Sequence, residues 1–288
     1  MVLASCPYGN PIAELLYPLL RPAANVRKML GVHRPIIFVT DYGRDDAYAA
    51  SLIGGAWRAQ SDVLCIDGTH GVPPGDVLAG AYCLKALAIA FERDVVLCGI
   101  VDPGVGTRRR AIAIDTGLLW CVAPDNGVVS YLWRDAEGER RRAVELLVPE
   151  GASPTFAGRD VFAPTAAQLA AGADLEDCGE PIDNPAMLDQ AFATRLGSGF
   201  AGQVAVVDHF GNAITTIRAA DLGGKPIARV SWAQGATSQS ALTYEDIPAV
   251  QLAAVIGSAG HLEIAARGAP AASLGGPGRH QPVTVELA

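Results

Sequence analysis

The stretch DVVLCGIVDPGVGTRRR, residues 94–110, joins a buried strand to a polar turn. Its apolar first part is typical of a strand covered on both faces. Asp102 follows directly, and PGVG then supplies a tight turn where backbone can approach a ligand closely. PGVG is not a phosphate loop, because no Gly-Lys-Ser/Thr follows it. If one of the three arginines turns back toward Asp102, the two side chains form a buried, charge-assisted pair. The other two arginines are then solvated or paired at the surface.

Strand and helix patterns alternate on both sides of this stretch. PIIFVT (35–40) and DVLCID (62–67) predict strands, and Asp76 can cap the helix that follows the second. Further on, RAIAIDT and LLWCVA straddle Gly117 like a hairpin. Strands alternating with helices predict an α/β domain with a mostly parallel central sheet covered on both faces, and we place it at residues 34–190.

The pattern changes along the rest of the chain. The segment GRDVFAPTAAQLAAG (158–172) predicts a helix that Pro164 kinks or divides in two. After about residue 185, short β-like runs are separated by Gly, Asp and Pro. They predict a smaller all-β domain over residues 197–288. We interpret residues 1–33 as an appended N-terminal arm, for which disorder is left open.

Composition narrows the class of protein. The chain has 288 residues, 50% of them hydrophobic, and a formal net charge of −8. That length allows one large or two modest domains, and the acidic balance argues against a nucleic-acid surface. No apolar segment reaches the ~18 residues of a membrane span, and the opening residues lack the basic region of a signal peptide.

The six cysteines predict free thiols rather than disulfides. None forms a C-x-x-C pair, and most lie in apolar runs, which favours a reducing cytoplasm. They are Cys6, Cys65, Cys83, Cys98, Cys121 and Cys178. The histidines lack the i, i+4 pairing of a metal site, so no metal is expected. They are His33, His70, His209, His261 and His280.

Carboxylates follow three predicted strands: Asp41, Asp67 and Asp102. Ligands of open α/β sheets bind beyond the carboxyl ends of the strands, so three carboxylates at one edge favour a polar site over three separate turn residues. His70 lies at the same edge, where we expect it to be a loop histidine that forms local hydrogen bonds. In the second domain, DHFGN (208–212) places an acid, an aromatic ring and an amide close together, a set that could recognise a nucleobase and an amine. A single stretch of this kind is more often a turn.

Taken together, the motifs resemble the S-adenosylmethionine hydroxide adenosyltransferases (SAM hydrolases), which are related to fluorinases and chlorinases. The matching stretches occur in family order over about residues 35–270. They are VTDYGRDD (39–46), IDGTHGVPPGDVLAGAY (66–82), VDPGVGTRRR (101–110), APDNGVVS (123–130), PTFAGRDVFAP (154–164), VVDHFGNAITTI (206–217) and IGSAGHLEIA (256–265).

The resemblance implies an N-terminal α/β domain, a C-terminal barrel-like domain and a homotrimer with sites between subunits. S-adenosylmethionine is then a substrate rather than a cofactor, and no cofactor, nucleic acid or membrane is expected. The resemblance implies roles for a set of residues: Asp41 for the ribose hydroxyls, Thr155 and Phe156 beside the ribose and reacting carbon, Asp208 and Ser258 for the methionine amine and carboxylate, Asn212 for the adenine edge, Phe210 and Tyr244 near its face, and Asp102 with Arg109 as the hydrolytic pair.

Ala157 departs from this resemblance. The SAM hydrolases that this chain resembles have His at this position, in the motif T-F-H-G-R-D. The resemblance implies that this His completes an Asp–Arg–His set around the attacking water. The reaction implied is hydrolysis of S-adenosylmethionine to adenosine and L-methionine by attack of water or hydroxide on C5′, slowed by the missing imidazole. Three alternatives stay open: an engineered variant of a hydrolase that retains its ligand, a halogenase using the same substrate, and a protein that binds S-adenosylmethionine or adenosine without turning it over.

Overall fold

The computed structural model of the protein describes residues 33–136 and 141–288. Of the arm predicted over residues 1–33, all but His33 falls outside these ranges, and so does Cys6. Two β-sheets follow one another along the described chain, and each has its own buried core.

Seven strands form the first sheet: β1 Ile36–Thr40, β2 Cys65–Thr69, β3 Val96–Ile100, β4 Ala111–Asp115, β5 Trp120–Pro124, β6 Arg142–Leu146 and β7 Gly179–Ile182. Their spatial order is β2-β1-β3-β5-β4-β6-β7. Strands β2, β1, β3 and β5 are mutually parallel, whereas β4, β6 and β7 pair antiparallel with their neighbours. The α/β class is confirmed, with a mixed sheet whose parallel half contains the predicted buried runs.

Helices cover both faces of this sheet, as predicted. They are α1 Tyr48–Ala59, α2 Val77–Phe91, α3 Ser130–Asp135 and α4 Ala163–Ala170. Along β1, Ile36 and Phe38 pack with α1 and α4, whereas Ile37 and Val39 pack with α2 and α3. The period of two in a strand therefore divides one apolar run between two cores.

Local sequence signals account for the helix ends. Asp76 caps α2, because its Oδ1 accepts the backbone N–H of Ala79 at 3.0 Å. Pro164 divides the predicted helix: a π-helical turn over Gly158–Phe162 leads into α4, in whose first turn the proline lies. A proline is tolerated there because the N–H that it lacks needs no intrahelical partner. The first helix, α1, begins at Tyr48 without a side-chain cap.

The named strands of the second sheet all pair antiparallel, and the sheet is almost a closed barrel. Its strands are β8 Thr194–Leu196, β9 Gly199–Val207, β10 Ala213–Arg218, β11 Ile227–Trp232, β12 Gly235–Thr237, β13 Leu252–Ile256, β14 His261–Ala266 and β15 Pro282–Leu287, with a short helix α5 at Ala219–Leu222. The order is β12-β11-β15-β9-β10-β14-β13, with β8 paired to β9. A bridge between Ser240 and Ala254 brings the two ends of the sheet together. The expected barrel-like architecture is therefore present.

Polar and aromatic contacts join the two halves of the chain. Asp135 of α3 accepts Lys85 Nζ at 2.5 Å and Arg218 Nη1 of β10 at 2.9 Å. His261 of β14 is buried edge-on against Tyr82 of α2, with ring centroids 5.4 Å apart. Burial lowers the pKa of His261 to about 4, so this imidazole is neutral near pH 7. The interface is therefore fixed by ion pairs at its rim and by uncharged rings inside.

Three further observations concern the described residues. Their five cysteines are all free thiols. Within the same ranges, no helix has the length and apolar character to cross a bilayer. The described chain also contains no cluster of three His, Cys, Asp or Glu side chains able to hold a metal ion.

Candidate active site

The pair predicted between Asp102 and an arginine is present, and its partner is Arg109. Arg109 Nε donates to both carboxylate oxygens at 3.0 Å, and Nη2 donates to Oδ2 at 2.5 Å. The side chains are only 6% and 15% exposed, and the guanidinium carbon lies 5.2 Å from the ring centre of Phe162. A planar cation held this way against a carboxylate is a fixed positive charge just beyond the end of β3.

The PGVG turn explains why Arg109 faces Asp102. The N–H of Val105 bonds to the carbonyl of Asp102 at 3.3 Å, and Thr107 Oγ1 donates to the carbonyl of Gly104 at 2.6 Å. The same hydroxyl accepts the N–H of Arg109 at 3.3 Å. These bonds reverse the chain, so β4 can start antiparallel beside the end of β5 with Arg109 pointing back into the edge.

The other two arginines lie outside this pair, as predicted. Arg108 is exposed and forms no ion pair with any described residue. Arg110 donates to Asp125 Oδ2 at 2.7 Å and to the side-chain oxygen of Asn184 at 3.0 Å. Arg110 therefore ties the segment between the two sheets to the edge.

Asp41 and His70 lie at the same edge in different settings. Asp41 is half-buried beyond β1, and its Oδ2 accepts the N–H of Gly75 at 2.8 Å. The prediction that a strand ends at Asp67 is wrong, since β2 continues to Thr69. His70 is 1% exposed, with Nε2 bonded to Asp67 at 3.0 Å and Nδ1 to Thr40 Oγ1 at 2.8 Å. Both ring nitrogens of His70 are therefore engaged in hydrogen bonds within this edge, as predicted.

The segment after β6 brings Thr155, Phe156 and Ala157 to this edge. Thr155 is exposed and Phe156 is half-buried. The ring of Phe156 meets Tyr42 and Tyr48 edge-on, with centroid distances of 6.1 and 5.6 Å. Ala157 directly precedes the π-helical turn and packs on the same core as Tyr42. Tyr42 was missed by sequence reasoning, although it follows Asp41 immediately.

The barrel contributes a second group, centred on the turn between β9 and β10. Asp208 accepts the backbone N–H of Asn212 at 2.8 Å and its side-chain Nδ2 at 2.9 Å. Gly211 has φ of 86° and packs directly on Pro270, which no side chain at that position would permit. Asn212 is buried, and one N–H of its Nδ2 is bonded to Asp208, so its Oδ1 and its second N–H are left for a ligand. Phe210 is 75% exposed.

Tyr244 lies near this turn and is tied to a carboxyl that the sequence analysis did not single out. Its hydroxyl donates to Glu263 Oε2 at 2.8 Å. Burial raises the pKa of Glu263, and burial together with the Glu263 bond raises the pKa of Tyr244 to about 12. A charged residue inside the apolar strand HLEIAA was the available signal. Ser258, on the loop before β14, is exposed.

The predicted site residues therefore fall into two groups. The edge group comprises Asp41, Asp102, Arg109, Thr155, Phe156 and Ala157. The barrel group comprises Asp208, Phe210, Asn212, Tyr244 and Ser258. Within residues 33–136 and 141–288, no hydrogen bond, ion pair or ring contact joins one group to the other.

Both sheets match one protein family. Residues 36–179 match the SAM hydroxide adenosyltransferase N-terminal domain, and residues 202–284 match the SAM hydroxide adenosyltransferase C-terminal domain. The two matches cover the edge group and the barrel group respectively.

Individual relatives agree with these matches. The (R)-S-adenosyl-L-methionine hydrolase of Salinispora arenicola is 40% identical over 83% of this chain and 92% of its own. The hydrolase of the same name from Thermus thermophilus is 38% identical over 84% and 96%. A fluorinase from Actinopolyspora mzabensis is 27% identical over 64% and 72%. The crystal structure of an uncharacterized conserved protein from Thermotoga maritima, 29% identical, superposes with a TM-score of 0.78 over 87% of this chain and 99% of that one.

Proposed function

Because this chain belongs to the SAM hydroxide adenosyltransferase family, we propose that it hydrolyses S-adenosyl-L-methionine to adenosine and L-methionine. The observation that carries the proposal is the buried Asp102–Arg109 pair, in a chain about 40% identical to a hydrolase of this substrate. Halogenation is the second candidate, because the fluorinase from Actinopolyspora mzabensis is 27% identical, whereas the hydrolases are 38–40% identical.

The chemistry needs little beyond a positioned nucleophile. Water oxygen forms a bond to C5′ of the substrate while the C5′–S bond breaks and its electron pair returns to sulfur. The leaving group departs as the neutral thioether of methionine, so no general acid is required. The guanidinium of Arg109 stabilises negative charge on the attacking oxygen, and the proton lost from water is taken up by the Asp102 carboxylate and passed to solvent.

The substrate's remaining parts are assigned to the two groups. Asp41 binds the ribose hydroxyls, with Thr155 and Phe156 beside the ribose. The barrel group binds the remaining parts of the substrate. Asp208 and Ser258 bind the amine and carboxylate of methionine, Asn212 binds the edge of adenine, and Phe210 and Tyr244 pack near the face of adenine. Support for the adenine assignment is the Asp208–Asn212 bond, which fixes the amide with its oxygen free to accept the adenine amine. A cytoplasmic location and the lack of a cofactor or metal remain predictions.

Incubation with S-adenosylmethionine and separation of the products tests this function. We expect adenosine and methionine, formed slowly because Ala157 supplies no acid–base group. A 5′-halo-5′-deoxyadenosine formed with added chloride or fluoride would identify a halogenase instead. Bound substrate without product at high protein concentration would identify a binding protein.

Replacing Asp41 by alanine should weaken binding of adenosine and S-adenosylmethionine together. Each ribose hydroxyl donates a charge-assisted bond worth about 1.5–3 kcal/mol, so both affinities should fall by roughly tenfold or more. Calorimetry measures this, with Asp45→Ala as the control because Asp45 is exposed nearby. If 2′,3′-dideoxyadenosine bound the parent protein as well as adenosine does, Asp41 would not hold the ribose.

We also propose a homotrimer whose sites form between subunits. Within the described chain, no hydrogen bond, ion pair or ring contact joins the edge group to the barrel group, although a single substrate requires both. Phe210 and Tyr244, which would cover adenine, are 75% and 44% exposed. Light scattering in solution should give three times the mass of the chain. A monomer that still binds one adenosine per chain would exclude a site between subunits.

A further inference from the structure

Tyr42 lies between Asp41, the carboxylate assigned to the ribose hydroxyls, and the segment that contains Ala157. Its backbone N–H donates to Thr40 Oγ1 at 3.2 Å, and that hydroxyl is bonded to buried His70 at 2.8 Å. Its ring is fixed edge-on against Phe156, with centroids 6.1 Å apart. The phenol therefore has one direction in which to point.

That direction is toward Gly158, the residue after position 157. The hydroxyl oxygen of Tyr42 lies so close to Gly158 that a β-carbon there would collide with it. Gly158 follows Ala157 directly and opens the turn that ends at Phe162, over whose ring Arg109 lies. Ala157 carries only a methyl group, and the phenol of Tyr42 lies against the next residue.

The hydroxyl of Tyr42 also lacks a hydrogen-bond partner among the described residues. Tyr42 is within electrostatic range of Asp41, Asp102 and Arg109. Burial first, and then the nearby Cys98, Asp41 and Asp102, raise the pKa of Tyr42 above its ordinary value, so the phenol keeps its proton at neutral pH.

We propose that Tyr42 is a further catalytic residue, whose hydroxyl orients the attacking water where other members of the family use an imidazole. The inference rests on the proposed hydrolysis. The phenol oxygen accepts a hydrogen bond from one hydrogen of the water, which turns a lone pair of the water toward C5′. Tyr42 gains and loses no proton; the bond that forms is O–C5′, the bond that breaks is C5′–S, and the proton leaves through Asp102.

The test compares steady-state kinetics of Tyr42→Phe with the parent protein. Phenylalanine keeps the ring contacts and removes one oxygen, so kcat should fall by about 10–100-fold while KM changes by less than about threefold. Tyr48→Phe removes the hydroxyl of the neighbouring ring, which is 53% exposed, and should leave kcat within about twofold. Thermal melting checks that each variant is folded.

A second background shows whether Tyr42 and position 157 share one task. With Ala157→His in place, the imidazole orients the water, so adding Tyr42→Phe should change kcat by less than about threefold. The rate of Ala157→His should also rise as pH increases through about 6.5, as neutral imidazole forms, and Tyr42→Phe alone should show no such step.

The outcomes separate this inference from the proposed function. A parent protein that hydrolyses S-adenosylmethionine, with Tyr42→Phe equally fast, overturns the role of Tyr42 and leaves the hydrolysis intact. Equal losses from Tyr42→Phe in both backgrounds would show a role unrelated to position 157 and also overturn the inference. A parent protein without hydrolysis overturns the proposed function, and the role of Tyr42 with it.

Discussion

Replacing Ala157 by histidine is expected to raise turnover of S-adenosylmethionine by about 10²–10⁴-fold, the usual effect of one positioned acid–base group. The imidazole would lie beside Asp102 and Arg109 and accept the proton of the attacking water. Because it faces the water rather than the adenosyl group, KM should change little. Single-turnover kinetics with excess protein measure the slow parent and the fast variant on one scale.

The hydroxyl of Tyr42 bears on the size of this gain. It lies against Gly158, the residue after position 157, and in our proposal it serves the same water as the new imidazole. Ala157→His combined with Tyr42→Phe should therefore stay within about threefold of Ala157→His alone. The account would be contradicted by a parent protein that turns over rapidly and becomes slower with histidine, since Ala157 would then shape the pocket for something other than water.

Removing Arg109 in the Ala157→His background should lower kcat by about 10²–10³-fold, the loss typical of one preorganised charge. The attacking oxygen loses its nearest positive charge, and Asp102, whose side chain is 6% exposed, becomes an unpaired buried carboxylate. The variant should also lose about 3–5 kcal/mol in the free energy of unfolding, measured by denaturant titration.

Arg108→Ala is the matched control for this change. It removes the same charge from the adjacent residue, which is exposed and unpaired among the described residues. Its kcat and unfolding free energy should match those of the background. If Arg108→Ala slowed hydrolysis as much as Arg109→Ala, the effect would come from the net charge of the loop rather than from the ion pair.

Much of the fold could be predicted, because the relevant signals are local. The apolar run before Asp102 forms β3, and Asp76 caps α2 at the residue predicted. Strands with charged or proline residues escaped notice: β6 contains Arg142 and Glu145, and β15 begins with Pro282. Those strands form because the sheets supply neighbours, which depends on the tertiary fold rather than on local pattern.

The candidate site also contains one part that local sequence predicts and one part that depends on the tertiary fold. Asp102 and Arg109 are seven residues apart on one turn, so their pairing is a short-range consequence of sequence. Tyr42 and Gly158 are distant in the chain, and their contact depends on how β1 and the π-helical turn pack together. The hydroxyl of Tyr42 therefore gave no sequence signal of its own, since an aromatic residue after a strand is ordinarily part of a core.

Hydrolysis in water enriched in ¹⁸O tests the central claim most directly, because the claim is that water attacks C5′. Mass spectrometry of the products formed by the parent protein should find the label in the 5′-hydroxyl of adenosine and none in methionine. Adenosine formed without the label, or labelled methanol with S-adenosylhomocysteine from attack at the methyl carbon, would contradict the account.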